Sequence, residues 1–177
     1  MPNAKPLPPV SLVNQLVTYD PATGEFARRD GKKATRRTKK GYLQLVLKDP
    51  ETGEKFTCYA HRLAWLLVTG DDPGVMQVDH RDRDKENNRF DNLRLATPSQ
   101  NSQNVGLRRS NKSGVIGVCW DDVAKQWQAN IRVDGRQINL GSSPQKEVAI
   151  SFRREAERFY YGEFAPATRL TAIRLRD

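Results

Sequence analysis

The sequence predicts an α+β protein built from two small modules. Three observations carry that expectation. The chain has 177 residues, a length that suits one medium domain or two small ones. Short strand-like runs are followed by a helix-like run twice along it. A polar, basic stretch without periodicity, residues 106–113, separates the two. Hydrophobic residues make up 37% and charged residues 29%, a globular but polar balance. No apolar run approaches the ~20 residues needed to cross a bilayer. The opening MPNAKPLPPV lacks the basic-then-apolar form of a secretory signal. A membrane-spanning, exported or disulfide-stapled protein is therefore not expected, and the cytoplasm is the expected setting. Cys58 and Cys119 read as small reduced core thiols. With 2 Cys and 2 His, a closed zinc site of the usual kind is almost excluded. The net charge of +9 favours a polyanionic partner. Both parts of the chain are positive: residues 1–105 hold 17 basic and 13 acidic side chains, and 106–177 hold 13 and 8.

The elements follow in order. Residues 1–10, with four prolines by position 9, predict a disordered lead-in. A short helical piece spans Leu12 to Leu16, and Tyr19 to Gly24 reads as a turn. Residues 28–40, RRDGKKATRRTKK, carry eight positive charges and one negative. They suit a solvated loop or, as the rest of the chain favours, an arm whose Arg36, Arg37, Lys39 and Lys40 lie along phosphates. Tyr42–Leu47 and Phe56–Tyr59 read as a hairpin, and residues 60–69 as a helix closed by Gly70. Val75–Val78 is a strand entering Asp79-His80. A polar loop follows, then a strand over Asn92–Ala96. Thr97 caps a helix with Pro98 at its first position, running to about Val105. After the linker come strands at 115–120, 126–133 and 136–141, the last two joined by the hairpin signal Asp134-Gly135. A helix over 144–161 carries Val148, Phe152, Ala156, Phe159 and Tyr160 at helical spacing and closes at Gly162; Phe152, Phe159 and Tyr160 are expected in the core. Residues 166–177 form a tail.

One constellation carries chemistry. Asp79 and His80 end a strand, Asn92 lies twelve residues after His80, and Asn101 lies nine further on the next helix. Strand, loop, strand and helix can fold these four groups around one point. Oxygen donors from Asp79 and Asn101 suit a hard cation, and a neutral His80 can act as a base with Asn92 holding its other nitrogen. The same spacing also suits a hydrogen-bonded polar loop with a capping Asp and a satisfied His.

The run VDHRDRDKENNRFDNLR, continued by SQNSQN, resembles the HNH family of homing and phage endonucleases over residues 60–105. The resemblance implies a ββα-metal fold within 11–105, with Asp79 as metal ligand and His80 as general base. It further implies Asn92 as the residue orienting that base and Asn101 as the last ligand, with Asn104 competing for that place. One Mg²⁺ or Mn²⁺ per active site is the implied cofactor, because a neutral amide suits a hard ion better than zinc. Asn88 is expected to shape the loop. His61 and Arg62 are candidates either for contact with the scissile phosphate or for a structural role. The implied products carry 3′-hydroxyl and 5′-phosphate ends.

In the second module the Asp134-Gly135 turn sets a register pairing Val133 with Arg136, Ile131 with Ile138 and Ala129 with Leu140. That apolar face suits cover by the last helix. The opposite face carries Gln128, Asn130 and Arg132 across from Gln137 and Asn139, side chains able to pair with base edges in a major groove. A merely solvated sheet face is the plainer alternative. The segment SGVIGVCW, KQWQANIR, LG and EVAISFRREAERFYYGEFA resembles the plant ethylene-response-factor (APETALA-type) DNA-binding domain over 114–165. It departs from that family in the first strand, where Ile116, Cys119 and Trp120 stand in place of arginines, so no base preference transfers. Trp120 and Lys125 join the expected DNA contacts, Trp127 is expected in the core, and Arg108, Arg109 and Lys112 are expected on phosphates.

Together the two resemblances imply a metal-dependent endonuclease of phage or mobile-element type, acting on double-stranded DNA in a host cytoplasm. The expected state is a monomer. A non-catalytic DNA-binding protein with a decayed nuclease domain is the main alternative, and an RNA-binding protein the third.

Overall fold

Residues 6–107 and 109–166 are described in the computed structural model of the chain, which divides into two units, Met1–Asn101 and Ser102–Asp177. The expected contact Arg108 and nearly all of the expected tail fall outside the described residues, as do positions 1–5 of the lead-in.

In the first unit the lead-in is a packed segment from Pro6 onward, against expectation. Pro8 is fully buried, and the Leu7 amide donates to the Asp72 carboxylate at 3.1 Å. Prolines have little backbone freedom to lose, so docking this strap costs little entropy. Helix α1 (Val10–Leu16) buries Val13 and runs into a small hairpin, β1 (Val17–Tyr19) and β2 (Phe26–Arg28). The basic segment is no free arm: Arg36–Arg37 (β3) pair along β4 (Leu43–Lys48), which pairs on its other side with β5 (Lys55–Tyr59). Alternation within β4 turns Leu45 and Leu47 inward, and both are completely buried with Val13, Val17 and Leu63. Helix α2 (Ala60–Thr69) presents Ala60, Leu63 and Leu66 to that core. It stops at Gly70, which takes a left-handed φ of 82°. Two short strands, β6 (Gln77–His80) and β7 (Leu93–Ala96), pair antiparallel, with Val78 and Leu93 packing on Ala64. Helix α3 (Pro98–Gln103) follows at once. Its start is a capping box: the Gln100 amide donates to Thr97 Oγ1 at 3.2 Å, and the Thr97 amide to Gln100 Oε1 at 2.8 Å.

The second unit is a three-stranded antiparallel sheet in the order β10-β9-β8: β8 (Val118–Asp121), β9 (Gln126–Val133) and β10 (Arg136–Ser143), with helix α4 (Lys146–Tyr161). The Asp134-Gly135 turn pairs Val133 with Arg136 and Ile131 with Ile138, as its sequence predicts. Beyond Asn139 the register slips, and Ala129 faces Gly141 rather than Leu140. The bulge falls at a glycine with φ +127°, where a side chain would press on the Phe152 ring at 3.2 Å. The expected core set of α4 also needs correction. Ala149, Arg153, Ala156 and Tyr161 are buried, whereas Phe159 is 80% exposed and Tyr160 41%. The buried stripe starts one residue later than the one read from Val148, and at the last turn that offset turns Phe159 out. Arg153 is buried because its Nη1 donates to the Asn130 carbonyl at 2.6 Å and its Nε to Glu157 at 2.8 Å. Cys58 is a buried thiol, pushed up to about 11 by desolvation, but Cys119 is exposed and no core residue.

Candidate active site

The sequence places Asp79 and His80 at the end of β6, and the pairing with β7 decides what surrounds them. Alternation puts Gln77 and Asp79 on one face of the strand and Val78 and His80 on the other. Across the ladder Asp79 faces Arg94, and Gln77 faces Ala96. Arg94 donates from Nε at 3.0 Å and from Nη2 at 2.9 Å, both to Asp79 Oδ2. Both side chains are buried, so this is a desolvated ion pair rather than a surface one. Opposite Gln77, the small Ala96 leaves room for α3. Asn101, in the first turn of that capped helix, donates from Nδ2 to Gln77 Oε1 at 2.5 Å. The structure thus ties Asn101 to the strand face that carries Asp79. Asn104 belongs to the second unit.

His80 is buried, at 4% exposure, and its Nε2 lies 3.3 Å from Asn88 Oδ1. Asn88 donates its own Nδ2 to the Glu86 carbonyl at 2.9 Å, so its oxygen is the acceptor and the histidine carries the proton on Nε2. Nδ1 is then the basic nitrogen. Burial pulls the His80 pKa below the ordinary histidine value, while Asn88 and the carboxylates of Asp82, Asp79 and Asp84 pull the other way. The imidazole is therefore neutral at neutral pH.

The amide that meets His80 Nε2 is that of Asn88, where the resemblance implied Asn92. Asn92 binds the loop instead. It accepts from the Asp82 amide at 3.1 Å and donates at 2.9 Å to both Asp82 Oδ1 and the Asn87 carbonyl. It sits in a short 3-10 turn, Phe90–Asn92, ahead of the strand, and from there its amide reaches the loop. Asn88 is fixed from a further side by the β1–β2 hairpin. Tyr19 donates its hydroxyl to the Asn88 carbonyl at 2.7 Å. Gly24, at φ +78°, packs so closely that a Cβ there would lie 2.5 Å from the Arg89 nitrogen.

His61 stands next to His80, with ring centroids 5.1 Å apart and edge-on. Tyr59 stacks on His61 at 5.4 Å, and Tyr42 approaches both histidines. His61 is 8% exposed, and its Nδ1 has no hydrogen-bond partner. Desolvation, with help from His80 and Arg62, drives its pKa down to about 3. Arg62 is held by Asp72 at 2.6 Å. Tyr42, Tyr59, His61, Arg62, Gln77 and Asn101 line one cavity of about 430 Å³ within the first unit.

Of the expected phosphate contacts, Arg37 pairs with Glu86 at 2.7 Å, and Lys85 donates to the Lys40 carbonyl at 2.9 Å. Arg37 and the backbone of Lys40 thus join this exposed basic segment to the Asn88 loop. Arg109 is exposed. In the second unit Arg132, Gln137 and Asn139 are exposed, and Gln128 and Asn130 half-buried, on the sheet face away from α4. Several of these side chains already have partners. Gln128 donates to the Asp121 carboxylate, Arg132 Nε to the Gly135 carbonyl at 3.2 Å, and the Gly141 amide to Asn139 Oδ1 at 2.9 Å. Trp120 lies on the other face from these side chains and is 41% exposed. It pairs across the ladder with Trp127, so both indoles lie on the α4 side of the sheet, 5.4 Å apart. Lys125 is exposed in the β8–β9 turn beside Asp122, with φ 52°.

Among the described residues no cluster of three or more His, Cys, Asp and Glu could hold a metal ion. The donors available here are one carboxylate and one carboxamide oxygen. That set fits Mg²⁺, which is commonly held by one or two carboxylates with the substrate phosphate completing the shell.

A profile of the family described as HNH endonuclease matches residues 58–103. The chain is 33% identical over 105 residues to protein 3.8 of Escherichia phage T7, covering 59% of this chain and 86% of that protein. It is also 33% identical over 111 residues to the uncharacterized HNH endonuclease L560 of Acanthamoeba polyphaga mimivirus, covering 62% of this chain and 57% of that one. A solved structure on DNA binding and cleavage by the HNH homing endonuclease I-HmuI is similar over 77% of this chain and 76% of its own. The TM-score is 0.43 and the identity 23%.

Proposed function

The chain belongs to the HNH endonuclease family, and from that premise we propose that it hydrolyses phosphodiester bonds of double-stranded DNA with Mg²⁺ or Mn²⁺, one ion per active site. The observation that supports this most is a buried, neutral His80 with its proton fixed on Nε2 by Asn88, at the end of the strand whose other face carries Asp79 and meets Asn101.

His80 takes the proton of the attacking water at Nδ1, the nitrogen left basic by Asn88. Burial keeps it in the unprotonated form this requires. Asp79 and Asn101 are the residues that would hold the cation, which when bound neutralises charge on the phosphate and stabilises the leaving oxygen. Arg94 fixes the Asp79 carboxylate from across the ladder. Its pairing leaves the carboxylate able to bind a cation as well, because a carboxylate offers about four lone-pair sites. Arg36, Arg37, Lys39, Lys40 and Arg109 hold backbone phosphates, and Arg62 and His61 sit in the cleft that receives the strand. The products carry 3′-hydroxyl and 5′-phosphate ends. One site per chain gives one nick, so a double-strand break takes a second chain or a second visit.

The second unit addresses the cut. Its sheet face of Asn130, Arg132, Gln137 and Asn139 enters a major groove in the manner of the ethylene-response-factor domains it resembles. Relatives in a bacteriophage and a giant virus support a viral or mobile-element nuclease working in a host cytoplasm. No helix among the described residues is long and apolar enough to cross a membrane.

The test is nicking of supercoiled plasmid with and without Mg²⁺. His80→Ala should lower the rate by about 10²–10⁴-fold while leaving duplex binding intact. Cutting that persists in that variant, or in excess chelator, overturns the mechanism. Arg132→Ala should cost about 1–3 kcal/mol at its base pair, and an unchanged cleavage pattern overturns the groove reading.

A further inference from the structure

We propose that Gln77 is a positioning residue for the cation site: it turns the Asn101 carboxamide so that oxygen, and not nitrogen, faces the ion. The inference rests on the reading of Asp79 and Asn101 as ligands, and concerns a residue to which neither the sequence nor that reading gave a role.

An asparagine is an ambiguous ligand. Its amide has one oxygen that can coordinate and one NH₂ that cannot, and the two exchange places by a half-turn of the terminal torsion. A carboxylate has no such problem. A site that uses Asn where Asp or His would serve therefore needs something to break the symmetry. Gln77 is the neighbour placed to do so, its Oε1 accepting from Asn101 Nδ2 at 2.5 Å. With the nitrogen held there, Oδ1 points away from Gln77.

Three features fix this contact. Gln77 and Asp79 are two residues apart on β6, hence on the same face. The cross-strand partner of Gln77 is Ala96, completely buried and small enough to admit the helix. The Thr97–Gln100 capping box sets where the first turn of α3 begins, and the Asn101 amide bonds the Thr97 carbonyl at 2.9 Å within it. Gln77 and Asn101 both line the cleft that also holds Tyr42 and His61.

The experiment measures Mn²⁺ binding to the full chain by the electron-spin resonance of the free ion. Asn101→Ala should weaken binding, and if it does not, the ligand assignment itself falls and this inference with it. Given that loss, Gln77→Leu should weaken Mn²⁺ binding about 10-fold, as loss of groups that orient metal ligands does. In an Asn101→Asp background the same Gln77→Leu change should have little effect, because either orientation of a carboxylate presents oxygen. A merely structural role for Gln77 would weaken binding equally in both backgrounds, and that result overturns the proposal. So does unchanged binding in Gln77→Leu alone while Asn101→Ala is impaired. Thermal unfolding of each variant identifies any that fail to fold. Should Gln77→Leu be one, Gln77→Met carries the same comparison, and equal losses in the two backgrounds again overturn the assignment.

Discussion

Replacing Arg94 by leucine removes the cation from a buried pair while leaving the carboxylate in place. The Asp79 and Arg94 side chains are only 8% and 6% exposed. Two N–H groups, at 3.0 and 2.9 Å, meet one oxygen. A hydrogen bond to a charged group contributes about 1.5–3 kcal/mol, so two give ~3–6. Breaking buried pairs from one side costs about 3–5 kcal/mol, because the orphaned charge keeps its desolvation penalty. We expect Arg94→Leu to destabilise the first unit by about that amount. The assay is urea unfolding followed by amide exchange in β6, which reports on this unit alone. The diagnostic comparison is the double variant Asp79→Asn/Arg94→Leu, which removes the charge along with its partner and should recover most of the loss. A single variant within 1 kcal/mol of wild type, or a double variant as unstable as the single, would refute the argument that an uncompensated buried charge is the cause.

Three further outcomes follow from the same geometry. Asn88→Asp places a carboxylate on His80 Nε2 and favours the imidazolium, so the loss of nicking at low pH should begin at a higher pH than in wild type; a plasmid-nicking pH profile shows it. Asn92→Ala removes three hydrogen bonds from the loop, a loss of about 3 kcal/mol at about 1 each; amide exchange at residues 82–88 should rise along with the fall in activity, whereas direct action on His80 would leave the loop protected. His61, whose pKa is about 3 when folded and ordinary when unfolded, makes the unfolded chain bind more protons between the two values. Stability should therefore fall as pH drops below about 6.5, by roughly 2–3 kcal/mol at pH 4.5, and His61→Asn should remove most of that slope in denaturant titrations.

The elements that bury a stripe were legible in the sequence. Helix α2, with Gly70 beyond it, and the Asp134-Gly135 hairpin each combine a period with a stop or turn residue, and both signals are local. The β1–β2 hairpin was not legible, because three-residue strands carry too little alternation to distinguish them from loop. The basic segment reads as solvated by charge alone, yet strand pairing needs only the backbone, and β3 forms along an edge where its arginines stay exposed. Asp79, His80 and Asn101 could be proposed because the motif is a pattern of residue types. The partner of His80 could not. Asn87, Asn88 and Asn92 are alike in kind, and which one reaches the imidazole depends on how the loop closes. The Asp79–Arg94 pair did leave a signal: two antiparallel strands with His80 opposite Leu93 place those charges across from each other, a register deducible by the same reasoning that the hairpin of the second unit received.

The loop between β6 and β7 has almost no apolar side chains, yet it must hold His80 in one tautomer. Its order comes from hydrogen bonds that converge from elements far apart in sequence. Asp82 Oδ1 caps the Asp84 amide, Asp84 Oδ1 caps the Glu86 amide, and Asn92 and Asn87 secure Asp82. From outside, Tyr19 and Gly24 press on Asn88, Arg37 pairs with Glu86, and Lys85 lies over the Tyr42 ring at 4.7 Å. Such a loop has few apolar contacts to rebuild around a defect, so its precision depends on every member being satisfied. The hairpin at 17–28 and the edge strand at 36–37 are then buttresses of the loop that holds His80. The packing of Asn88 by the β1–β2 hairpin, with Arg37 of β3 pairing to Glu86 beside it, is what turns a flexible polar turn into preorganisation, with the cost of ordering met on folding rather than at each turnover.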